Sequence, residues 1–214
     1  EQTFKNVTCL NHPVVSHKLT VLRDLNTPPK EFRRITGEIS LFLAAEATKD
    51  LPTETKEIET PLTKTTQPVL KGKWPCFVPV LRAGLGFLEG FLNIIPDAVV
   101  GHLGLSRNDD LTTKEYYCKL PPDVTERPVY ILDPMIGTGG TAITAVKLLR
   151  ENGVKNIKLV GLLASADGLK KFISEVTDVP VLVAGIDPIL NEKGYIVPGL
   201  GDAGDRTFGT VDHQ

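Results

Sequence analysis

A loop rich in glycine and threonine, placed just after an acidic residue, is the segment of this sequence best suited to chemistry. The acid is Asp133, and the loop has the sequence GTGGT over residues 137–141. Glycines allow several backbone N–H groups to converge on one anion, and the hydroxyls of Thr138 and Thr141 add further donors. A carboxylate only accepts hydrogen bonds, so Asp133 suits sugar hydroxyls rather than phosphate. The segment therefore predicts a site for a phosphorylated sugar.

The elements on either side indicate how this loop is held. Val129–Leu132 is a short run of apolar, mainly β-branched and aromatic residues, which is typical of a buried strand. After the loop, apolar residues recur at helical spacing until Asn152 and Gly153. A helix N-terminus favours anions, so a loop in this position suits phosphate binding. The alternative interpretation of this segment, taken alone, is an ordinary glycine-rich turn without a ligand. The pattern differs from the P-loop, which needs lysine, and from the dinucleotide fingerprint, whose first glycine directly follows the strand.

Strands and helices alternate along most of the chain. The predicted strands span residues 57–62, 77–81, 98–105, 114–120, 129–132, 158–164 and 180–185. Besides the helix after the loop, helices are predicted over residues 28–48, with Thr27 as N-cap, 85–93 and 167–176. This alternation predicts an α/β fold with a parallel sheet flanked by helices on both faces. Residues 114–120 are expected to form a projecting hairpin, and residues 191–214 an irregular segment that covers the site.

Two arginines follow other predicted strands. Arg82 comes directly after the strand at 77–81, and Arg107 follows the strand that ends at Leu105. Ligands of open α/β sheets bind beyond the carboxyl ends of the strands, so both arginines are expected near the glycine-rich loop. A guanidinium group pairs with two phosphate oxygens at once, which makes Arg82 and Arg107 candidates for binding phosphate groups.

Composition excludes several classes of protein. The chain has 214 residues, 41% of them apolar, which is typical of a single soluble domain over residues 1–214. A net charge of −2 without a basic cluster argues against nucleic-acid binding, and no apolar run is long enough for a membrane helix. Cys9, Cys76 and Cys118 lack CxxC spacing and indicate a reducing, cytoplasmic location. No residue spacing indicates a dedicated metal site. Met135 is the only methionine, which leaves open a leader before Glu1.

Five blocks of the sequence resemble the type I phosphoribosyltransferase family, and more narrowly its uracil branch. They are HPVVSHKLTVLRDLNT (12–27), VPVLRAGLGFLEG (78–90), GHLGLSRN with EYYCKLP (101–121), the strand–loop–helix segment (129–149) and GYIVPGLGDAGDRTFGT (194–210). Most type I enzymes carry two adjacent acids after the strand. Here the second position is Pro134, as in the uracil branch, so the sugar hydroxyls are left to Asp133 alone.

The resemblance implies transfer of the 5-phosphoribosyl group from 5-phospho-α-D-ribose 1-diphosphate to uracil, giving UMP and diphosphate in pyrimidine salvage. It also implies a C-terminal hood over the base and a non-proline cis peptide next to Arg82–Ala83. The implied catalytic residues are Asp133, Asp202 and Arg82. The implied donor-binding residues are Arg82, Arg107, Asp133, Pro134, Met135, Ile136, Gly137, Thr138, Gly139, Gly140, Thr141 and Asp202. The implied uracil-binding residues are Tyr195, Ile196, Gly201, Asp202 and Ala203.

The resemblance leaves some roles open. Asp202 is either the base that accepts the uracil ring proton or a donor-binding group that holds a magnesium-bound water. Mg²⁺ is expected to bind mainly through the donor diphosphate. The hairpin at 114–120, with Tyr116 and Tyr117, is expected to embrace a second subunit in a homodimer or homotetramer. Activation by GTP or another nucleotide is left open.

Two other functions are compatible with this fold. A pyrimidine-sensing regulator would bind RNA and needs a basic face, for which the sequence offers no lysine or arginine cluster. A phosphoribosyltransferase for another base is the second alternative, and the block at 194–210 argues against it.

Overall fold

The structure is built on a mainly parallel central β-sheet. It was obtained as a computed structural model that describes residues 4–107 and 113–210. The strands in these residues are β1 (Val7–Cys9), β2 (Thr53–Glu59), β3 (Lys64–Leu70), β4 (Cys76–Leu81), β5 (Val99–Val100), β6 (His102–Arg107), β7 (Thr113–Lys119), β8 (Val129–Leu132), β9 (Met135–Ile136), β10 (Ile157–Ser165), β11 (Val181–Asp187), β12 (Ile189–Leu190) and β13 (Ile196–Val197). The helices are α1 (Pro13–Arg23), α2 (Pro29–Thr48), α3 (Leu85–Ile94), α4 (Gly140–Glu151), α5 (Ala166–Glu175) and α6 (Ala203–Phe208), with a 3₁₀ turn at Val124–Glu126.

The order of the strands creates a crevice at the centre of the sheet. The order is β1-β11-β10-β8-β4-β6-β7, with β5 and β9 as short additions beside β4 and β10. The strands pair in parallel except β7, which runs antiparallel to β6. From the adjacent pair β4 and β8, the later strands extend outward in opposite directions. Such a switch point is where open α/β sheets bind ligands, beyond the carboxyl ends of the strands.

Helices cover both faces of the sheet, as the alternating pattern predicts. Alternate residues of each strand point to opposite faces, so Phe77 and Tyr130 pack against α1, α2 and α3. Val78 and Ile131 point the other way and pack against α4 and α5. All four side chains are at most 3% exposed. The α/β prediction is therefore confirmed, and the central strands and helices lie within a few residues of their predicted bounds.

The N-terminal half departs from the predictions at several elements. The predicted strand at 57–62 lies instead at β2, and it pairs with β3, which was not predicted. The side chains of β2 are exposed on both faces, so its sequence lacks the apolar alternation that marks a half-buried strand. Helix α2 begins at Pro29 with Pro28 as N-cap, because the Thr27 hydroxyl donates to the Val21 carbonyl at 2.6 Å. Strand β1 and helix α1 were also not predicted.

The C-terminal segment is more regular than predicted. Residues 191–210 include β13, which pairs with β12, and the short helix α6. The Asp202 carboxylate caps α6 by accepting a hydrogen bond from Asp205 N at 2.8 Å, and Gly209 ends the helix in the left-handed conformation. The expectation of an irregular segment was therefore wrong for these residues, and residues 211–214 lie outside the described chain.

The predicted strand at 114–120 and its antiparallel pairing are confirmed, but the strand pairs along the whole of β6 and is not a projecting arm formed only with the segment after Leu105. Strand β7 pairs with β6 and forms an edge of the central sheet. Tyr116 and Tyr117 on β7 are 56% and 48% exposed. The residues that join the two strands, 108–112, lie outside the described ranges.

Two glycines test how closely helix α5 packs against the loop at 137–141, with one of them, in α2, as the control. A Cβ at Gly168 would lie 1.9 Å from the Gly137 carbonyl oxygen, whereas a Cβ at Gly37 in α2 would meet no atom within 4 Å. We expect Gly168→Ala to lower the free energy of unfolding by about 1–3 kcal/mol, because backbone must move. Gly37→Ala should raise it by up to about 1 kcal/mol through helix propensity. Chemical denaturation measures both, and wild-type stability of Gly168→Ala would contradict the packing described.

Candidate active site

The carboxyl ends of β4 and β8 bring two predicted site residues together. Pro79 lies opposite Leu132 in the parallel pair, so Arg82 and Asp133 leave the sheet at the same edge. The turn after β4 packs tightly on the end of β8, since a Cβ at Gly84 would lie 2.5 Å from the Leu132 carbonyl oxygen. The Leu81–Arg82 peptide is cis, in agreement with the expected non-proline cis peptide. The turn that carries Arg82 is thus held against the strand that ends at Asp133.

Backbone hydrogen bonds hold Asp133 at the end of the sheet. Its N–H donates to the Val160 carbonyl at 3.0 Å, and the Pro134 carbonyl accepts from the N–H groups of Leu162 and Leu163 at 2.9 Å each. The Asp133 side chain is only 7% exposed. A carboxylate this far removed from water makes strong hydrogen bonds, which suits the recognition of sugar hydroxyls.

The glycine-rich loop rests on the start of helix α5. The Ser165 hydroxyl donates to the Gly137 carbonyl at 2.6 Å and accepts from Gly168 N at 2.8 Å. Gly139 has a φ of +80° and is the N-cap of α4, and a Cβ there would lie 2.7 Å from the Gly168 carbonyl oxygen. The loop therefore has little freedom to move toward α5. Ser165 was not predicted, although a serine just before a helix is a common capping signal.

The other predicted loop residues differ in what they can offer a ligand. Thr138, Gly140 and Thr141 are half-buried, and Gly140 N donates to the Thr138 hydroxyl at 3.4 Å. Met135 and Ile136 form β9 beside β10, and the Ile136 side chain is 1% exposed in the core. Ile136 is thus available to a ligand only through its backbone.

The Arg82 side chain reaches the C-terminal helix α6. Its Nη2 lies 2.7 Å from Asp205 Oδ1, and its Nη1 donates to the Thr210 hydroxyl at 3.1 Å. The Phe208 ring lies 5.8 Å from the guanidinium carbon. The Thr210 hydroxyl and Arg82 together hold the pKa of Asp205 below its usual range. Asp205 was not predicted, because nothing local relates it to Arg82.

Asp202 and the predicted uracil-binding residues lie in the same C-terminal segment. A Cβ at Gly204 would lie 3.2 Å from Asp202 Oδ1 and 3.4 Å from Arg82 Nη2, so the two charged groups are close to each other. The side chains of Ile196 and Ala203 are 6% and 4% exposed and pack in the core. Gly201, with a φ of +83°, has an exposed backbone. Contacts from this segment to a ligand would therefore come mainly from the main chain.

The described structure does not connect two of the predicted site residues to the crevice. Tyr195 is 44% exposed and lies just before β13. Arg107 ends β6, but its side chain lies outside the described structure, so its approach to the crevice is untested.

The described residues offer no metal cluster and no membrane-spanning helix. No group of three or more His, Cys, Asp or Glu residues there could hold a metal ion. No helix in that part of the chain is long and apolar enough to cross a membrane. Burial raises the pKa of the Cys76 thiol to about 11, so this cysteine is unsuited to nucleophilic chemistry.

Known proteins similar to this chain share one family description. A family model described as uracil phosphoribosyltransferase matches residues 9–210. A uracil phosphoribosyltransferase of Finegoldia magna is 53% identical over 209 residues, covering 97% of this chain and 100% of the relative. The corresponding protein of Clostridium tetani is 51% identical over 208 residues, with 97% and 100% coverage.

Solved structures extend this likeness to the fold. The AQ2163 protein of Aquifex aeolicus has a TM-score of 0.91 and 38% identity, covering 97% of this chain and 100% of its own. An adenine phosphoribosyltransferase of Trypanosoma brucei has a TM-score of 0.61 at 14% identity, with 94% and 90% coverage, which supports the fold alone. The family model matches most of the chain, and two relatives are more than 50% identical to it over their whole lengths. This chain belongs to the uracil phosphoribosyltransferase family.

Proposed function

We propose that this chain, acting as one phosphoribosyltransferase domain, transfers the 5-phosphoribosyl group of 5-phospho-α-D-ribose 1-diphosphate to uracil, giving UMP and diphosphate. The observation that carries the proposal is the crevice beyond β4 and β8. There the Arg82 turn packs on the end of β8 and reaches α6, and Asp133 and the loop at 137–141 follow directly from β8. The names of the relatives support uracil as the acceptor.

Each group of the donor has a partner of suitable chemistry in this crevice. The loop at 137–141 would bind the 5′-phosphate through its N–H groups, the threonine hydroxyls and the N-terminus of α4. Asp133 would accept hydrogen bonds from the ribose hydroxyls. Arg82 and Arg107 would pair with the diphosphate oxygens. Pro134, Met135 and Ile136 would approach the donor mainly through their backbone.

Uracil is small, flat and neutral, and its edge carries both donors and acceptors. Backbone groups can recognise such an edge where they are not used in a helix or strand, and residues 198–202 lie between β13 and α6 outside regular secondary structure. Ile196, Gly201 and Ala203 would therefore contact the base through the main chain, with Asp202 between base and donor. Tyr195 would pack against the outer side of the base.

Ribosyl transfer builds positive charge on the anomeric carbon as diphosphate leaves. Catalysis would then come mainly from positioning and from stabilising the negative charge of the leaving group, a role that we assign to Arg82. The carboxylates of Asp133 and Asp202 are oxygen ligands of the kind Mg²⁺ prefers, and the described residues offer no larger cluster. The donor set thus fits Mg²⁺ held mainly by the diphosphate, whose charge the ion would neutralise when bound.

The reaction is tested by measuring diphosphate release from the donor with uracil, cytosine, adenine, hypoxanthine and orotate in turn. We expect turnover with uracil and little with the other bases. Faster turnover with another base would assign the chain to that base. No turnover with any base, combined with RNA binding, would favour the regulator.

Asp133→Asn tests the assignment of the sugar hydroxyls. A hydrogen bond to a charged group contributes about 1.5–3 kcal/mol, so kcat/KM should fall at least about tenfold. Asp178→Asn is the matched control, because Asp178 pairs with Arg150 just before β11, at the edge of the sheet opposite the crevice. Near-normal activity of folded Asp133→Asn would refute the assignment.

Asp202→Asn separates the two roles of Asp202. Asparagine also caps helices, so α6 should persist. The carboxylate lies beside Arg82, so we propose the donor-binding role and expect the donor KM to rise while the acidic limb of the pH–rate profile persists. A general base contributes about 10²–10⁴-fold. Loss of that limb, with a large fall in kcat and unchanged donor KM, would instead identify Asp202 as the base.

We also propose a homodimer or homotetramer in the cytoplasm. Tyr116 and Tyr117 are exposed on β7, and the hairpin of β2 and β3 forms a separate sheet in the described topology. A lone two-stranded hairpin is marginally stable in water, so a second copy is the expected partner. Sedimentation at micromolar concentration should give a dimer or larger, and a monomer would contradict the proposal.

GTP activation, supported by the resemblance alone, is tested by adding GTP to the uracil assay.

A further inference from the structure

Two charged residues hold the chain just before the segment assigned to uracil. We propose that Arg23 and Asp187 are positioning residues for uracil binding, which act by fixing the Gly199 peptide from which residues 201–203 continue. This inference rests on the proposed function, because it assumes that those residues contact the base.

Arg23 and Asp187 form a bidentate ion pair. Arg23 is the last residue of α1, and Asp187 is the last residue of β11. Nη1 of Arg23 lies 2.7 Å from Oδ2 of Asp187, and Nη2 lies 2.7 Å from Oδ1. The Asp187 side chain is nearly buried, at 6% exposure. A bidentate pair of this kind fixes the orientation of both groups as well as the distance between them.

The same two side chains bind both polar groups of Gly199. Gly199 N donates to Oδ2 of Asp187 at 2.8 Å, and Nη1 of Arg23 donates to the Gly199 carbonyl at 2.9 Å. Gly199 has a φ of +58°, and a Cβ there would lie 1.9 Å from the Ile196 carbonyl oxygen. Gly199 lies between β13 and α6, outside regular secondary structure. Its N–H and carbonyl are therefore satisfied by side chains and not by the backbone of a neighbouring strand.

Arg206 holds the next residue, Leu200. Its Nη1 donates to the Leu200 carbonyl at 2.9 Å, and its Nη2 donates to the Asp24 carbonyl at 2.6 Å. Its guanidinium carbon lies 4.7 Å from the centre of the Phe32 ring. The backbone at residues 199–200 is therefore anchored to α1 and to the segment that follows it. Residues 201–203 start from a fixed point.

An ion pair at this place is better explained by positioning than by stability. Replacing a buried ion pair with apolar residues is often neutral or stabilising, so burial alone does not account for the two charges. The pair sets the orientation of the Gly199 backbone, because it binds both the N–H and the carbonyl of that residue. A base recognised by main-chain groups depends on such placement, since a displacement of about 1 Å can reduce activity about 10²-fold.

The donor-binding elements are held by other contacts. The loop at 137–141 rests on α5, and the Arg82 turn packs on β8. A loss of the Arg23–Asp187 contacts should thus raise the uracil KM much more than the donor KM, because Asp202 is the only residue of 201–203 that was also assigned to the donor. A purely structural role would affect both substrates and the thermal stability together.

The test uses steady-state kinetics of the full chain with each substrate varied in turn. Arg23→Lys keeps the charge but loses the guanidinium fork, and Asp187→Asn keeps the shape but loses the ionic pair. We expect both variants to raise the uracil KM by about tenfold or more and the donor KM far less. Arg23→Lys keeps a positive charge opposite Asp187, so its Tm should stay close to wild type, whereas Asp187→Asn leaves Arg23 without its ionic partner and should lower the Tm. Asp178→Asn, which breaks the exposed pair with Arg150, is the control and should change neither KM.

Gly201→Ala separates a failure of this inference from a failure of the uracil assignment. Alanine at a φ of +83° strains the backbone of the segment itself. If Gly201→Ala raises the uracil KM and Arg23→Lys does not, the positioning role is overturned and the uracil assignment stands. If neither variant changes the uracil KM, both are overturned. Equal increases in both KM values for Arg23→Lys and Asp187→Asn would reduce the pair to a structural role and overturn the inference.

Discussion

The pairing of β4 with β8 is the constraint on which the rest of the site depends. Neighbouring parallel strands end at the same edge of a sheet, and here Pro79 lies opposite Leu132. The turn after β4 fits against the Leu132 carbonyl only because residue 84 is glycine. The sheet backbone therefore sets the separation between the arginine turn and Asp133. Charges held in place before substrate arrives need no reorganisation during the reaction, which is the main way in which enzymes stabilise a developing charge.

The two proposed sides of the crevice, a donor side at residues 82–84, 133 and 137–141 and a base side at residues 195–204, are built by different interactions. The donor side consists of strand ends, a helix start and glycines in close backbone contact, so packing determines its shape. The base side is a segment without a long strand or helix of its own, and polar side chains hold it. Arg82 reaches Asp205 in α6, while Arg23 and Asp187 hold Gly199. Substitutions of polar residues should therefore change mainly the binding of uracil, whereas changes in the volume of packed residues should change mainly the binding of the donor.

The strands, loop and helix of the proposed donor side could be predicted from the sequence because their signals are local. Strand, acid, glycine-rich loop and helix follow one another within about twenty residues, and Arg82 directly follows an apolar strand. The contacts of the base side have no such signal. Arg23 and Asp187 lie 164 residues apart, and α6 is a six-residue helix that depends on its cap and on tertiary contacts. Strand β2 was misplaced because both of its faces are exposed, so no apolar alternation marks its ends.

Hydrogen–deuterium exchange with substrates present tests the central claim most directly. The donor with Mg²⁺ should slow exchange at residues 82–86 and 137–144, on the two sides of the β4–β8 crevice. Uracil added to that complex, or UMP alone, should slow exchange at residues 199–204. Protection confined to the opposite edge of the sheet, at residues 71–73 and 156–158, would contradict the account. Unchanged exchange at 82–86 and 137–144 with saturating donor would contradict it equally.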